Sequence, residues 1–291
     1  MMELGKKIRP FRRKLIQIAA FGFCNPHIAN FKNGSIYTGK WKNFCSPGLN
    51  CYSCPAAALS CPIGALQSVS GSVKFDFSFY IVGFLLAIGA VFGRIVCGFL
   101  CPFGLIQELL HKIPSRKFKL PKPFKYFKYL ILIVFVLILP ISSADVTGTG
   151  DPAFCEYICP AGTLEGGLPL ILAHSELTEV LGNLFILKLS ILIGIVVGSV
   201  FIMRFFCKTL CPLGAIYGLL NKISLYKVSV DKIKCVSCGK CSSVCPMDVD
   251  PVKNPLSAEC IKCGKCADSC CAGAIKLSFL NTVGEESRVK S

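Results

Sequence analysis

The sequence lacks most of the groups that nucleotide and haem sites require. It contains only three histidines and one tryptophan, and it has no C-x-x-C-H motif, no P-loop and no G-x-G-x-x-G segment. These absences exclude the attachment of c-type haem and argue against the binding of ATP or a dinucleotide. His27, His111 and His174 are too scattered to form a convincing pair of b-type haem ligands. Of the three, His111 is the candidate for contact with a quinone near the membrane interface.

Charged residues are also scarce, and acidic residues are the scarcer kind. Only 16% of the 291 residues are charged while 53% are hydrophobic, and 32 Lys and Arg stand against 16 Asp and Glu. This composition is typical of a membrane protein rather than of a soluble domain. Because the basic residues flank apolar segments, a cytoplasmic membrane surface explains them better than nucleic-acid binding does. Membrane lipid is therefore an expected partner, and nucleic acid is not.

Four segments are candidates for transmembrane helices, which need ~20 mainly apolar residues. They cover residues 14–31, 77–96, 126–143 and 184–206. The segment 112–128 has seven basic and no acidic residues, whereas the segment 144–182 has acidic residues and no Lys or Arg. The positive-inside rule then predicts a multi-pass protein of the cell membrane with both termini in the cytoplasm. The basic N-terminus resembles a signal peptide but has no small-residue cleavage site, so we expect it to be retained.

Cysteine is abundant, and part of it lies in a duplicated unit. CGFLCPFG begins at Cys97 and CKTLCPLG begins at Cys207, each at the end of an apolar run and each preceded by an arginine, Arg94 and Arg204. Proline after the second cysteine favours the start of a helix. Apolar residues then recur at helical spacing, which predicts an amphipathic helix on the cytoplasmic face in each unit. These apolar residues are Ile106, Leu109, Leu110 and Ile113, and Ile216, Leu219, Leu220 and Ile223.

The C-terminal part contains the C-x2-C-x2-C-x3-C spacing twice, as CVSCGKCSSVCP and CIKCGKCADSCC. This is the spacing of bacterial ferredoxins, in which the fourth cysteine of each run binds the other cluster. Zinc ribbons are the main alternative, but they use two C-x2-C pairs. One [4Fe-4S] cluster is predicted on Cys235, Cys238, Cys241 and Cys270, and the other on Cys245, Cys260, Cys263 and Cys266. Cys271 stands where the pattern expects proline, so Cys271 is an alternative to Cys270.

The duplicated unit predicts a further cluster. Cysteines four residues apart project from one face of a helix, so Cys97 with Cys101 and Cys207 with Cys211 would supply four ligands if their spans are neighbours. Arg94 and Arg204 would then offset the negative charge of the cluster, or alternatively would snorkel to the interface. A disulfide or inert thiols are the alternatives, and a cytoplasmic disulfide is disfavoured on redox grounds.

A second group of cysteines is expected at the outer face. The motif C-P-x-G occurs four times, at Cys61, Cys101, Cys159 and Cys211. We expect Cys51, together with Cys54 or Cys61, to join Cys155 and Cys159 in another cluster site. Extracellular disulfides are the competing interpretation for these residues and for Cys45. Cys24 has no clear partner and is expected to be a buried free thiol.

The predicted fold class is a mainly α membrane protein of about four transmembrane helices with interfacial amphipathic helices, plus a small α+β bacterial-type 2[4Fe-4S] ferredoxin domain. The expected division is a transmembrane domain at 1–225, a ferredoxin domain at 226–280 and a flexible tail at 281–291. Over about residues 10–277 the chain resembles the membrane polyferredoxins of the NapH/NosR/MauN type. The resemblance implies electron transfer between quinol or cytoplasmic donors and a membrane or extracytoplasmic redox partner.

Two questions about function stay open at this point. The chain could oxidise quinol itself, as a quinol dehydrogenase, or serve as the electron-transfer subunit of an oxidoreductase. The alternatives from other classes are an accessory protein for metal handling or metalloenzyme maturation, such as a copper-reducing factor, and a redox sensor.

Overall fold

The fold is known from a computed structural model that describes residues 2–72, 79–144 and 150–279. This part of the chain is mostly helical, with a single two-stranded sheet among the described residues. The predicted tail at 281–291 lies outside the described residues.

Two helices are long and apolar enough to cross a membrane. Pro123–Ser142 has 20 residues and a mean hydropathy of 2.1, and Asn183–Phe201 has 19 residues and a mean hydropathy of 2.5. They coincide with the predicted spans at 126–143 and 184–206. Only 28% and 17% of their most apolar windows are buried within the protein, so most of their apolar surface is free to face lipid.

The other two predicted spans differ from the structure. The segment predicted at 77–96 forms a shorter helix, Phe79–Phe92, which ends at Gly93 with φ +60°. Residues 77 and 78 lie outside the described part. The prediction of a span at 14–31 is wrong in its bounds, because the first helix is Met2–Cys24 and stops before Asn25 and Pro26. Proline lacks the N–H group and clashes with the preceding turn, which explains the end of the helix there.

The Cys-Pro dipeptides of the two duplicated units begin helices, as predicted, and so does Cys61-Pro62. Pro62–Gly71, Pro102–Leu110 and Pro212–Leu220 each carry proline in the first turn. In the last two, the predicted apolar stripe is half-buried at one edge, where Ile216 packs against the core, and exposed at the other. Leu109 and Leu219 are 47% and 60% exposed, whereas the opposite side of each helix is buried. The exposed edge of the stripe is therefore available to contact lipid, and the buried side faces the cysteines.

The remaining elements are short. The α-helices are Asn30–Asn33, Ile95–Phe99, Gly162–Ala173, Phe205–Thr209, Lys240–Ser243 and Lys265–Ser269, and the 3-10 or π turns are Lys40–Asn43, Phe154–Ile158 and Ser175–Val180. The helix Ile95–Phe99 follows Phe79–Phe92 directly, and Phe205–Thr209 follows Asn183–Phe201 in the same way. This repetition is the structural counterpart of the duplicated sequence.

The C-terminal part has the only sheet in the described chain. Strand β1, Tyr226–Val230, pairs antiparallel with strand β2, Ile275–Phe279, with Tyr226 opposite Phe279. Val228 and Ile275 form a small core of their own with Cys241. Ile261, by contrast, belongs to the main core of the helical part. Met247 and Val249 belong to it as well, so both halves of the C-terminal part pack on the helices. We refer to residues 226–279 as the C-terminal module.

Candidate metal centres

The duplicated cysteines come together in one buried group. Cys97 lies in the helix Ile95–Phe99 and Cys207 in the helix Phe205–Thr209, while Cys101 and Cys211 stand at the N-terminal caps of the next helices. Each of the four is 7–8% exposed. The Cys207 and Cys97 sulfurs act electrostatically on both Cys101 and Cys211. We call this group, Cys97, Cys101, Cys207 and Cys211, the Cys97 site.

The pKa values of Cys101 and Cys211 are raised in the Cys97 site. Burial, and then the neighbouring sulfurs, raise the pKa of Cys101 to about 12 and that of Cys211 well above its ordinary value. Without a cation these sulfurs therefore keep their protons. Iron binding would require thiolates and would release those protons. The affinity of the Cys97 site for metal would therefore rise with pH. The backbone N–H of Gly214 donates to Cys211 Sγ at 3.3 Å, which favours the thiolate.

Arg94 and Arg204 are fully buried beside the Cys97 site, so neither of them snorkels to an exposed interface. Arg204 Nη1 donates to the carbonyl of Cys97 at 2.8 Å, and its Nε donates to Glu108 Oε1 at 2.8 Å. Arg94 Nη1 donates to Glu259 Oε2 at 3.0 Å. Each arginine thus lies between the cysteines and a carboxylate. Sequence reasoning missed both carboxylates, because a single buried Glu has no spacing signature.

A second group of four cysteines contains Cys51, Cys61, Cys155 and Cys159, and we call it the Cys61 site. Burial, then the sulfurs of Cys155, Cys61 and Cys51, raise the pKa of Cys159 well above its ordinary value. The pKa of Cys51 and that of Cys155 are each raised to about 12, mainly by burial.

Two glycines leave room beside these sulfurs. A Cβ at Gly64 would lie 3.7 Å from Cys155 Sγ, and a Cβ at Gly162 would lie 3.6 Å from Cys51 Sγ. Both glycines are the last residue of a C-P-x-G motif, which gives that motif a role in the site. Four neighbouring sulfurs, from the buried Cys61 and Cys159 and the half-buried Cys51 and Cys155, with space beside them fit a [4Fe-4S] cluster.

The other cysteines of the N-terminal half take different positions. Cys54 donates its S–H to the carbonyl of Glu165 at 3.1 Å, so of the two alternatives it is Cys61 that lies among the group. Cys45 lies near Cys61 but is held in an isolated bridge to Ser60. Cys24 Sγ lies 3.6 Å from Ser46 Oγ. All twenty cysteines are described, and none of them forms a disulfide.

A buried polar residue occurs six positions after the cysteine of every C-P-x-G motif. These residues are Gln67, Gln107, Glu165 and Tyr217, and their exposure ranges from 0 to 8%. Sequence reasoning missed them, although the constant offset of six residues would have revealed them. Position six of the helix lies on the same side as its first turn, so each side chain is directed back to the cysteines.

The two glutamines make equivalent contacts. Gln67 Nε2 donates to Cys155 Sγ at 3.1 Å, and its Oε1 accepts from the N–H of Phe154 at 2.8 Å. Gln107 Nε2 donates to Cys207 Sγ at 3.2 Å, and its Oε1 accepts from the N–H of Phe206 at 3.0 Å. Each glutamine thus stabilises negative charge on one sulfur and fixes the backbone before that cysteine. The Cys61 site and the Cys97 site therefore share the same arrangement of a glutamine, a cysteine sulfur and the backbone N–H before that cysteine.

The segment Pro47–Asn50 separates the two sites. A Cβ at Gly48 would lie only 3.3 Å from the Cα of Cys101, so this glycine allows the close approach. The backbone N–H of Leu49 interacts with the thiol of Cys101, and the N–H of Asn50 interacts with the thiol of Cys61. Tyr217 Oη donates to the carbonyl of Pro47 at 3.1 Å and holds the segment in place. From the sequence we expect the Cys97 site at the cytoplasmic face and the Cys61 site at the outer face. Nothing in the sequence indicates that one segment contacts both sites.

The C-terminal module contributes two further groups of cysteines. Cys245, Cys260, Cys263 and Cys266 line one small cavity, which we call the Cys260 site. Cys235, Cys238, Cys241 and Cys270 line another, which we call the Cys235 site. Cys271 also lines the second cavity, but its side chain is exposed while Cys270 is half-buried. In each group the fourth cysteine, Cys245 or Cys270, comes from the other C-x2-C-x2-C-x3-C run, as predicted.

The Cys260 site lies against the Cys97 site. A Cβ at Gly98 would be 2.7 Å from the carbonyl oxygen of Ile261, so only glycine allows this contact. The sulfur of Cys263 acts electrostatically on Arg204, which also faces Cys207 and Cys101. Arg204 is therefore shared between the two sites.

Among the described residues, no three Cys, His, Asp or Glu side chains are close enough together to bind a single metal ion. His111 Nδ1 lies 3.2 Å from the carbonyl of Ser199, so its ring is held by the helix Asn183–Phe201. The four sulfur groups, not the histidines, are the candidate metal centres.

Known families match the regions that contain these sites. A family model described as a 4Fe-4S binding domain matches residues 77–121, 129–169 and 184–231, and a second with the same description matches residues 228–249. Each of the first three segments contains one C-x3-C-P pair. No solved structure matches the chain.

Several curated proteins are similar to this chain. An uncharacterized protein of Methanocaldococcus jannaschii is 28% identical over 203 residues, which cover 66% of this chain and 68% of that protein. The methylamine utilization ferredoxin-type protein MauN of Paracoccus denitrificans is 32% identical over 164 residues, 56% of this chain and 50% of that protein. The ferredoxin-type protein NapH of Escherichia coli is 30% identical over 154 residues, 53% of this chain and 47% of that protein. This chain thus spans about half the length of these MauN and NapH proteins.

The cysteine groups and the matching domains indicate a ferredoxin-type protein that binds [4Fe-4S] clusters. Among the curated proteins it matches, the chain is similar to the ferredoxin-type proteins MauN and NapH. The two long apolar helices and these relatives indicate association with a membrane.

Proposed function

We propose that this protein is an electron conduit in which four [4Fe-4S] clusters lie in the order Cys235 site, Cys260 site, Cys97 site and Cys61 site. When bound, each cluster can take up and release one electron. Electrons from a cytoplasmic donor or a quinol would enter at one end of this series and leave at the other. Redox partner proteins, and quinone in the membrane, are the proposed donors and acceptors.

One observation carries this proposal, namely that consecutive sites share residues. Gly98 touches Ile261, which links the Cys97 site to the Cys260 site. The adjacent amides of Leu49 and Asn50 link the Cys97 site to the Cys61 site. A protein that only stored or sensed iron would not need the Cys260, Cys97 and Cys61 sites to lie against one another. Short separations between centres are what a series of electron transfers requires.

The same geometry supports the proposed ligand sets. We propose that Cys97, Cys101, Cys207 and Cys211 hold one cluster and that Cys51, Cys61, Cys155 and Cys159 hold another. In the C-terminal module, Cys235, Cys238, Cys241 and Cys270 would hold the third, and Cys245, Cys260, Cys263 and Cys266 the fourth. Arg94 and Arg204 offset the charge of the thiolates at the Cys97 site. Burial of all four cysteines there keeps water from the sulfurs.

The proposed arrangement in the membrane has four crossings and cytoplasmic termini. Pro123–Ser142 and Asn183–Phe201 support two of the crossings by length and hydropathy. The first helix, Met2–Cys24, and the apolar helix Phe79–Phe92 would form the other two together with neighbouring residues. Residues 1–225 would then be the membrane domain and 226–280 a bacterial-type ferredoxin domain on the cytoplasmic side.

The proposal is tested with purified protein in sealed vesicles that contain ferricyanide. External dithionite should reduce the trapped ferricyanide, one electron for each ferricyanide ion, when a protonophore prevents the build-up of charge. The double variant Cys97→Ser/Cys207→Ser should lose this reaction and about four iron atoms per chain, since one of the sites is removed. Cys24→Ser is the matched control, because Cys24 lies outside the four groups, and it should keep both.

The same preparation separates the alternatives. If trapped ferricyanide is reduced equally by wild type and by the double variant, electrons do not pass the Cys97 site and the conduit is excluded. If the variant keeps its full iron content, the ligand assignment is wrong. Addition of menaquinol in place of dithionite decides whether a quinol is a donor, since cluster reduction is then followed by EPR.

A further inference from the structure

The two halves of the C-terminal module present equivalent loops. CVSCG begins at Cys235 and CIKCG begins at Cys260, so Val236 corresponds to Ile261 and Ser237 to Lys262. Ser237 and Lys262 both have positive φ, +54° and +50°, although neither is glycine. The glycine that ends each loop is also left-handed. The backbones of the loops therefore follow the same path around their sites.

Only one of the equivalent loops is covered by the rest of the protein. Ile261 is 2% exposed, because its loop lies against Gly98 beside the Cys97 site. Val236 is 66% exposed, and the neighbouring Ile233 is 97% exposed. Cys238, a proposed cluster ligand, is exposed as well. The loop of the Cys235 site thus repeats a surface that the other half uses to contact the next electron-transfer site, yet nothing in the described chain covers it.

Basic residues surround this exposed loop. Lys232, Lys234 and Lys240 are all exposed, and Lys234 lies 3.6 Å from Asp231. Lys232 and Lys240 have no carboxylate within 4 Å in the part of the chain that the structure describes. We call residues 232–240 the Val236 surface. It combines two exposed apolar side chains with a net positive charge, next to a cysteine of the Cys235 site.

We propose that the Val236 surface is the docking site for an acidic, soluble one-electron carrier protein. The proposal rests on the proposed function, since it assigns the Cys235 site as the point where electrons enter. Each transfer removes one electron from the carrier and places one electron at the Cys235 site. Val236 and Ile233 provide the apolar centre of the contact, and the lysines attract and orient the acidic partner.

Membrane lipid is the less favoured occupant of this surface. The Cys260 loop packs on the helical part through Ile261, whereas Val236 and Ile233 of the Val236 surface are exposed. The lysines of the Val236 surface are exposed as well and lie outside the loop that makes this contact. Charge complementarity favours an acidic protein there, because steering by a basic patch raises the rate of encounter by 10-fold or more.

The test is the rate at which fully reduced flavodoxin, an acidic one-electron carrier, reduces the iron-loaded full-length protein. Lys232→Glu/Lys240→Glu should lower this rate by about tenfold or more at low salt. The wild-type rate should fall as salt is added, because the attraction is screened. Arg116→Glu/Lys119→Glu is the matched control, since it removes the same charge from another exposed basic segment, and it should keep nearly the wild-type rate.

Dithionite distinguishes failure of this inference from failure of the conduit. Dithionite needs no docking surface, so it should reduce wild type and both variants to the same extent, as measured by EPR. If it does so while flavodoxin reduces the Lys232→Glu/Lys240→Glu variant at the wild-type rate, the Val236 surface is not the docking site and the conduit stands. An equal loss in both variants would also overturn the inference. If dithionite leaves the Cys235 site oxidised in wild type with full iron, that site cannot accept an electron from the carrier and the inference is overturned.

Discussion

Leu49 and Asn50 are adjacent in the chain, yet their backbone amides serve different groups of cysteines. The N–H of Leu49 interacts with Cys101, and the N–H of Asn50 interacts with Cys61. Both residues are 1% exposed, so the peptide between the two groups lies in a region closed to water. A single peptide unit therefore separates the surroundings of two proposed clusters.

Gly48→Val should disturb both sites at once. The new side chain would begin 3.3 Å from the Cα of Cys101 and 3.4 Å from the carbonyl oxygen of Leu100, neither of which can move without shifting the helix start. We expect the segment Pro47–Asn50 to move away and the two sites to separate. The magnetic interaction between the two reduced clusters, read from the splitting of their EPR signals, should weaken.

Gly194→Ala is the control for this variant, because a Cβ at position 194 would meet nothing within 4 Å. It should keep the wild-type splitting. An unchanged EPR spectrum of Gly48→Val with full iron content would show that the segment does not set the separation of the sites.

Gln67→Leu and Gln107→Leu should each affect one site only. Each change removes an N–H···S hydrogen bond, from Cys155 or from Cys207, and hydrogen bonds to the sulfurs stabilise the more negative, reduced cluster. We expect the reduction potential of that site to fall. A loss of about 1 kcal/mol corresponds to on the order of 40 mV for one electron. Redox titration followed by EPR measures the potential of each site.

The two variants serve as controls for each other. Gln67→Leu should leave the potential of the Cys97 site unchanged, and Gln107→Leu should leave that of the Cys61 site unchanged. If both potentials move together in either variant, the glutamines act through the fold and not through their hydrogen bonds.

The ferredoxin-type part of the protein could be predicted from the sequence because its information is local. Within each C-x2-C-x2-C-x3-C run the spacing alone brings three cysteines together, and the crossing of Cys245 and Cys270 follows from the motif. The helix starts after Cys101 and Cys211 were equally local, since proline favours the first turn. The same holds for the helices Pro123–Ser142 and Asn183–Phe201, which hydropathy identifies.

The Cys61 site could be predicted only in part, because its members are far apart in the chain. Nothing in the spacing of Cys51, Cys54 and Cys61 tells which sulfur turns towards Cys155, and the answer depends on the contact between Cys54 and Glu165. Glu108 and Glu259 were missed for a related reason. Their burial is explained by arginines distant in sequence, and a charged residue alone predicts a solvated position.

Serine substitutions can decide which cysteines belong to the Cys61 site. Cys51→Ser should lower the iron content by about four atoms from a wild-type value of about sixteen per chain, four at each of four sites. Cys54→Ser should leave the iron content unchanged, because Cys54 donates to a carbonyl group instead. Iron and acid-labile sulfide are measured on the same samples. If iron is lost only in Cys54→Ser, then Cys54 and not Cys51 is a ligand of the Cys61 site.

Glu108→Gln should destabilise the protein at neutral pH. Glu108 lies between Arg204 and Arg13, and all three side chains are buried. The variant leaves two buried guanidinium groups without a counter-charge, at a cost of about 3–5 kcal/mol. Thermal unfolding in detergent should therefore occur at a lower temperature. Glu176→Gln is the control, since Glu176 is exposed, and it should unfold like wild type.

The same carboxylate gives a prediction on pH. Burial alone would raise the pKa of Glu108, but Arg204, Arg13 and more weakly Lys265 outweigh it, so the pKa is lowered. The ionised Glu108 therefore contributes its full stabilisation at any pH above about 4.3, the pKa of a glutamate in the unfolded chain. This contribution is lost as the pH falls from there through the lower pKa that Glu108 has in the folded protein. The difference in unfolding temperature between wild type and Glu108→Gln should shrink below pH 4.3 or so. A constant difference would show that folding leaves the pKa of Glu108 unchanged.

The contact between Gly98 and Ile261 has a consequence for how electrons leave the C-terminal module. Many redox proteins carry their centre on a tethered head that swings between donor and acceptor, and their turnover slows in viscous solvent. Here the C-terminal module is fixed to the helical part, because Arg94 and Lys128 both form ion pairs with Glu259 beside the Cys260 loop. Passage from the module into the helices should therefore proceed at the same speed in glycerol as in water.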